Sequence, residues 1–258
     1  MDAMEFDKLI RGKNINFLMG SGASAPLYPT LSLGENCPSF EDVVSHKNLS
    51  DTARMFMYLY YFEKIVSPIA LRKDIFDMIY GGDQVVVNYE KLAGTLYAFL
   101  YSESNERPKR INIFSTNYDL LLERVFDDFL VKHPLVYFND GARGSFRRCI
   151  SNQNFYLNVT HSGYNDNYRR EVPTINLFKM HGSVSWKVEG NSILVVDDNQ
   201  DIALIRKTVD EFDISPEKVG EVVSKSMNPV IDDFIAILNE EVSILNLDEI
   251  KLKEFRSL

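Results

Sequence analysis

The chain carries only two cysteines, Cys37 and Cys149, far apart in its 258 residues. Two thiols cannot complete a four-cysteine metal site, and without a paired framework they read as packed or free thiols in a reducing cytosol. Long apolar runs are missing too. None reaches the ~20 uncharged residues of a membrane span, so no membrane partner is expected. The opening residues, MDAMEFDKLIRGKN, are charged and hold no apolar core of a secretory leader. A cytoplasmic location follows as the expectation, and the N-x-S/T triplets at Asn48 and Asn158 then carry no glycan. Glycine and proline are sparse, at 13 and 9 residues, which excludes a low-complexity chain. Basic residues are outnumbered 28 to 37, and the net charge of -9 disfavours direct nucleic-acid binding. The cluster Arg143, Arg147 and Arg148 reads as solvated surface or a protein-binding face, with a local phosphate contact as the alternative.

What is present is a series of short apolar runs with polar ends. Residues 14–19 (NINFLM) predict a buried strand running into the tight turn Gly20-Ser21-Gly22-Ala23-Ser24-Ala25. Residues 51–66 predict a mostly buried helix that Pro68 stops, its Met and Tyr side chains packing in a core. Helical character continues over 73–80 and 89–101, punctuated by Gly81-Gly82. Residues 111–115 (INIFS) form the next strand, followed by Thr116-Asn117-Tyr118-Asp119. A helix then starts at Asp119 and stops at Pro134. The polar stretch 139–170 holds short extended pieces such as FYLNV and reads as an insertion or cover over a site. Residues 174–180 (TINLFKM) are a third buried strand leading into His181-Gly182-Ser183, and 185–196 form a hairpin about Glu189-Gly190-Asn191. Helical pattern returns from Pro216 to Leu245 with a break at Pro229. The alternation predicts an α/β fold, a Rossmann-like parallel sheet flanked by helices. One domain over 1–258 is expected, with a motif-bearing core at 14–196, the insertion at 139–170 and a helical C-terminal region at 215–258.

Ligands of open α/β sheets bind beyond the C-terminal ends of the strands, so three polar clusters at three strand ends converge on one pocket. The first matches G-x-G-x-x-A. Gly20 permits the turn, Gly22 admits a pyrophosphate to the backbone, and Ala25 allows close helix packing. The acidic residue expected ~20 positions further on is only loosely met by Glu41 or Asp42, which argues against an ordinary Rossmann dehydrogenase. The second cluster, Thr116-Asn117-Tyr118-Asp119, can cap a helix, yet it offers more polar groups than a cap needs. In the third, His181 is a base candidate that His46, His133 and His161 do not match in setting.

The order GSGAS, FSTNYDLLLE and KMHGSVSW resembles the sirtuin-like superfamily, specifically its bacterial NADase branch found in anti-phage defence. The family's turns stand here as Gly20-Ser21-Gly22-Ala23-Ser24, Thr116-Asn117-Tyr118-Asp119 and His181-Gly182-Ser183, and the similarity spans about residues 14–196. The resemblance implies cleavage of the nicotinamide–ribose bond of NAD to nicotinamide and ADP-ribose. It also implies Gly20, Ser21, Gly22, Ala23, Ser24, Thr116 and Ser183 as NAD-binding residues, with Asn117, His181 and Asp119 catalytic. Asn117 would hold ribose hydroxyls or water and His181 would take a proton. Asp119 would orient neighbours, offset positive charge or cap the helix. Sirtuin deacylases carry a four-cysteine zinc module, and its lack here points away from deacylation and to a metal-free site. Relatives continue to a further strand on the adenosine side of NAD, which 197–258 does not offer. A silent NAD- or ADP-ribose-binding regulatory module is therefore the alternative. The resemblance further implies a homo-oligomer, with contacts from the C-terminal region and 139–170, and a partner such as a HerA-type ATPase.

Overall fold

The computed structural model describes residues 3–13, 15–25, 27–103, 109–163, 168–197, 199–248, 251 and 254–255. Asn14, expected to open the first strand, lies outside the described residues, as do 164–167 of the insertion and 249–250, 252–253 and 256–258 of the C-terminal region. The helices are α1 (Ala3–Ile10), α2 (Phe40–Ser45), α3 (Asp51–Tyr61), α4 (Ser67–Ile69), α5 (Lys73–Tyr80), α6 (Gln84–Ser102) and α7 (Leu121–Lys132). They continue with α8 (Gln200–Asp210), α9 (Pro216–Ser226) and α10 (Ile231–Ile244). The strands are β1 (Ile15–Met19), β2 (Arg110–Ser115), β3 (Tyr137–Asn139), β4 (Ala142–Arg143) and β5 (Arg148–Ile150). After them come β6 (Thr160–His161), β7 (Arg170–Glu171), β8 (Thr174–Lys179), β9 (Trp186–Glu189) and β10 (Ser192–Val195). The expected single domain is organised as two compact units, Met1–Leu27 with Arg72–Asp198, and Tyr28–Leu71 with Asn199–Leu258.

The first unit is built on the expected parallel sheet, in the order β1-β2-β8-β3. Its strands alternate by face. Ile111, Ile113, Ile175 and Leu177 are fully buried with Leu121 and Phe126 of α7, the apolar side of an α/β layer. One row of the sheet is polar from edge to edge. Asn16, Asn112, Asn176 and Asn139 are register partners on the four strands. Each amide donates to the next: Asn139 to Asn176 (2.9 Å), Asn176 to Asn112 (2.9 Å) and Asn112 to Asn16 (2.8 Å). A slip of one residue would break this ladder and turn the apolar row outward, so it pins the register. The insertion supplies a second sheet, β4-β5-β10-β9, and the short pair β6-β7. Phe155 from the insertion stacks on Phe178 of β8 with centroids 4.0 Å apart.

Several expectations need correction. β1 is not buried: it sits at the sheet edge with alternating half-buried and exposed residues, and Leu18 is 80% exposed. An apolar run reports the tendency to pair, whereas burial depends on neighbours. After β1 the chain makes a short 3-10 turn over Ser21–Ala23 and no α-helix, so Ala25 packs no helix against the strand and the dinucleotide fingerprint is only half met. FYLNV is not a strand. Ser151 accepts from Gln153 N–H and starts a 3-10 turn over Asn152–Tyr156 instead. α7 begins at Leu121, two residues after Asp119. β3 and α8 were not foreseen.

The second unit is helical. Phe56, Met57, Val223, Phe234, Ile235 and Leu238 are among its buried core, and the run Met55 to Phe62 turns most of its apolar side chains inward. Serine caps punctuate it: Ser39, Ser50 and Ser215 each accept a backbone N–H from the first turn of α2, α3 and α9. Pro68 does not stop the helix begun at Asp51. A π turn over Phe62–Val66 widens the backbone ahead of it, with Ser67 N–H reaching Phe62 C=O, and the chain passes helically to Ile69. The break near Pro229 is present between α9 and α10. Among the described residues no strand follows β10, and no helix is long and apolar enough to cross a membrane.

Candidate active site

Parallel pairing brings the three turns together. Met19 pairs with Ser115 and Ser115 with Lys179, so three strands end in one row. Thr116 N–H donates to Met19 C=O (3.0 Å) and Met180 N–H to Ser115 C=O (2.8 Å), which extends the row by one residue. The third turn is then tied to the second by Val184 N–H on Tyr118 C=O at 3.1 Å. Gly182 adopts φ +95, a left-handed conformation that a side chain resists, so the reversal after His181 calls for glycine.

The centre is a buried polar cluster around Ser24, itself 2% exposed. The Ser24 hydroxyl donates to Asp119 Oδ2 at 2.8 Å and accepts from Asn117 Nδ2 at 2.9 Å. Tyr89 from α6 lies 3.1 Å from the same oxygen. A hydroxyl has one proton and two acceptor sites, so with the proton on Asp119 both Asn117 and Tyr89 donate, and its capacity is full. Burial pushes the Tyr89 phenol up to about 12, which keeps that proton in place at neutral pH. Asp119 Oδ1 accepts from Leu121 N–H (3.0 Å), so this carboxylate caps α7 and holds Ser24 at once. The consequence falls on Asn117. Its Nδ2 is committed to Ser24, and its Oδ1, although buried, has no hydrogen-bond partner among the described residues. An orphan acceptor costs about 1–3 kcal/mol, so a donor that reached this oxygen would be stabilised there.

The other expected residues sit on the three turns. Gly20, Ser21, Gly22 and Ala23 are exposed on the turn after β1. A Cβ at Gly22 would meet nothing within 4 Å, and one at Gly20 would only touch Thr116 Oγ1 at 3.7 Å. The protein's own packing therefore needs neither glycine, and the bare backbone is open to a ligand. The turn uses the N–H groups of Ala23, Ser24 and Ala25 internally. His181 is exposed, with its ring 6.5 Å from that of Tyr118. Ser183 Oγ lies 3.1 Å from Ser185 Oγ. Two participants escaped the sequence reading. Tyr89 sits in mid-helix with no motif around it. Lys179 reads as an interruption of an apolar strand, yet its ammonium is buried beside Asp119 and Glu123.

Among the described residues no group of three or more His, Cys, Asp and Glu could hold a metal, and both cysteines are free and half-buried. Elemental analysis of the purified chain should find no stoichiometric zinc, and a strong chelator should leave the melting temperature unchanged. One zinc per chain would contradict this.

Residues 111–214 match the family model described as SIR2-like domain. The match includes the second and third turns, and Gly20–Ser24 lies ahead of it. No curated protein matches the chain.

Proposed function

The chain is sirtuin-like over residues 111–214, which points to an NAD-related function, and on that premise we propose that it is an NAD+ glycohydrolase. The reaction breaks the bond between ribose C1′ and the nicotinamide nitrogen. The bond's electron pair neutralises the pyridinium, water oxygen bonds to C1′, and one water proton is released. The transition state is oxocarbenium-like and the leaving group is already good, so the protein needs to orient more than to protonate.

The observation that carries the reading is the acceptor Asn117 Oδ1, buried beside the Ser24–Asp119–Tyr89 cluster and without a partner among the described residues. A ribose hydroxyl or the attacking water supplies the missing donor. His181, exposed two residues past the end of β8, takes the released proton. The exposed turn Gly20 to Ala23, with Thr116 beside it, receives the pyrophosphate, and Ser183 lines the nicotinamide side. Ser24 and Asp119 serve by fixing Asn117. In a cell this activity would deplete NAD, as in anti-phage defence, gated by self-assembly or by a partner such as a HerA-type ATPase.

A second reading has one observation in its favour: helices α8 to α10, with no further described strand, follow β10. It is a silent module that binds NAD or ADP-ribose and regulates a larger complex. Chromatography of the chain incubated with NAD separates the two. Hydrolysis yields equimolar nicotinamide and ADP-ribose, whereas the silent module yields tight binding without turnover. His181→Ala should lower the rate by about 10²–10⁴ at an unchanged melting temperature, because the ring is exposed. Wild-type turnover in that variant would remove His181 from the mechanism.

A further inference from the structure

Lys179 ends β8, opposite Ser115 of β2 and two residues before His181. Its side chain is only 4% exposed. The ammonium has three protons and three acceptors: Asn117 C=O at 3.3 Å, Asp119 C=O, and Glu123 Oε1 of α7 at 3.2 Å. Burying an ammonium costs several kcal/mol unless it is paired and its donors are satisfied. Glu123 Oε1 supplies the third acceptor although burial pushes its carboxyl up against the pull of Lys179, and two loop carbonyls complete the shell. Those two carbonyls flank Tyr118, in the segment between β2 and α7, whose other long-range main-chain ties are Thr116 N–H on Met19 C=O and Val184 N–H on Tyr118 C=O. A lysine that only tied a helix to a sheet would spend its donors on α7. This one spends two of three on the loop that carries Asn117.

We propose that Lys179 is a positioning residue: it clamps the backbone of Asn117 and Asp119 to the strand that delivers His181, and so sets the two halves of the site at a fixed spacing. The inference rests on the NAD-cleaving reading for its kinetic consequence and on the three contacts alone for its structural one. Asn117 points its amide correctly through Ser24, and Lys179 fixes where that amide stands. The clamp also explains why a charged residue interrupts the apolar run TINLFKM.

The test uses the full chain with Lys179→Met and Lys179→Arg, read in two ways. In Lys179→Met, kcat for nicotinamide release should fall about 30-fold or more with KM for NAD within about twofold, since misplacing a catalytic group by about 1 Å can cost about 10²-fold. Backbone amide exchange over 116–121 should rise about tenfold while the hairpin 186–195 keeps its protection, a local opening and not a global one. Lys179→Arg keeps the charge but spreads its donors over a planar fork, so it should recover both readouts only in part. Wild-type kcat and wild-type exchange in folded Lys179→Met would overturn the proposal. Should Lys179→Met fail to fold, Lys179→Arg decides by the same readouts: faster exchange at 116–121 supports the clamp, and wild-type values in both overturn it. If the wild-type chain leaves NAD intact, the NAD-cleaving reading fails by itself, while the exchange data still judge the clamp.

Discussion

Asn117→Ala should lower kcat for nicotinamide release by about 10²–10³, or about 3–4 kcal/mol, the usual loss for one oriented polar group at a reacting centre. The argument is one of valence. Ser24 gives its single proton to Asp119 and accepts from Asn117 Nδ2, which leaves Asn117 Oδ1 without a donor among the described residues. Truncation removes that acceptor and orphans a Ser24 lone pair, while the apolar core is untouched. Asn117→Asp is the sharper control. It keeps the shape and the Oδ1 acceptor but replaces the donor Nδ2 with an oxygen, which sets a second carboxylate against the one hydroxyl proton that Asp119 already takes. Both variants should therefore lose at least about 10² in kcat with cooperative unfolding retained. Asn117→Asp turning over at the wild-type rate would mean that amide orientation does not matter.

The largest loss of stability is expected from Phe126→Ala. Phe126 is fully buried on α7, stacked on Phe138 of β3 at 4.5 Å and edge-on to Phe129 at 6.2 Å. Removing a buried Phe ring leaves a cavity and costs about 3–5 kcal/mol. Phe126→Leu keeps most of the volume and should cost less than half of that. Denaturant titration reads this as a lower midpoint for the transition of the first unit at unchanged slope. A midpoint within error of wild type would show that the α7 face is not part of a packed core.

What was legible in the sequence follows from which signals are local. Short apolar runs ending in Gly, Ser, Asn or His located β1, β2 and β8, and the hairpin turn at Gly190-Asn191 stands where expected between β9 and β10. Three turns in chain order pointed to the site because parallel strands end on one side, and the register puts Met19, Ser115 and Lys179 in one row. Other features depend on neighbours distant in sequence. β1 is apolar by composition and exposed by position at the sheet edge. Pro68 reads as a stop, and only the π turn before it allows passage. β3 has three residues, too few for an alternating pattern to register. α8 carries a short apolar stripe, Ile202, Ile205 and Val209, set among charged residues that mask it. The roles of Tyr89 and Lys179 are set by contacts made across the fold and by no motif. Ser24 illustrates both sides: the sequence placed it in a phosphate-binding turn, and its burial puts it to work holding Asn117.

Proton NMR of the wild-type chain mixed with excess NAD, followed in real time, tests the central claim most directly. The account predicts that the nicotinamide-ring signals of NAD decline as those of free nicotinamide rise in equal amount, with ADP-ribose as the other product. NAD signals that persist unchanged while the protein binds the nucleotide, or the growth of dihydronicotinamide signals, would contradict it.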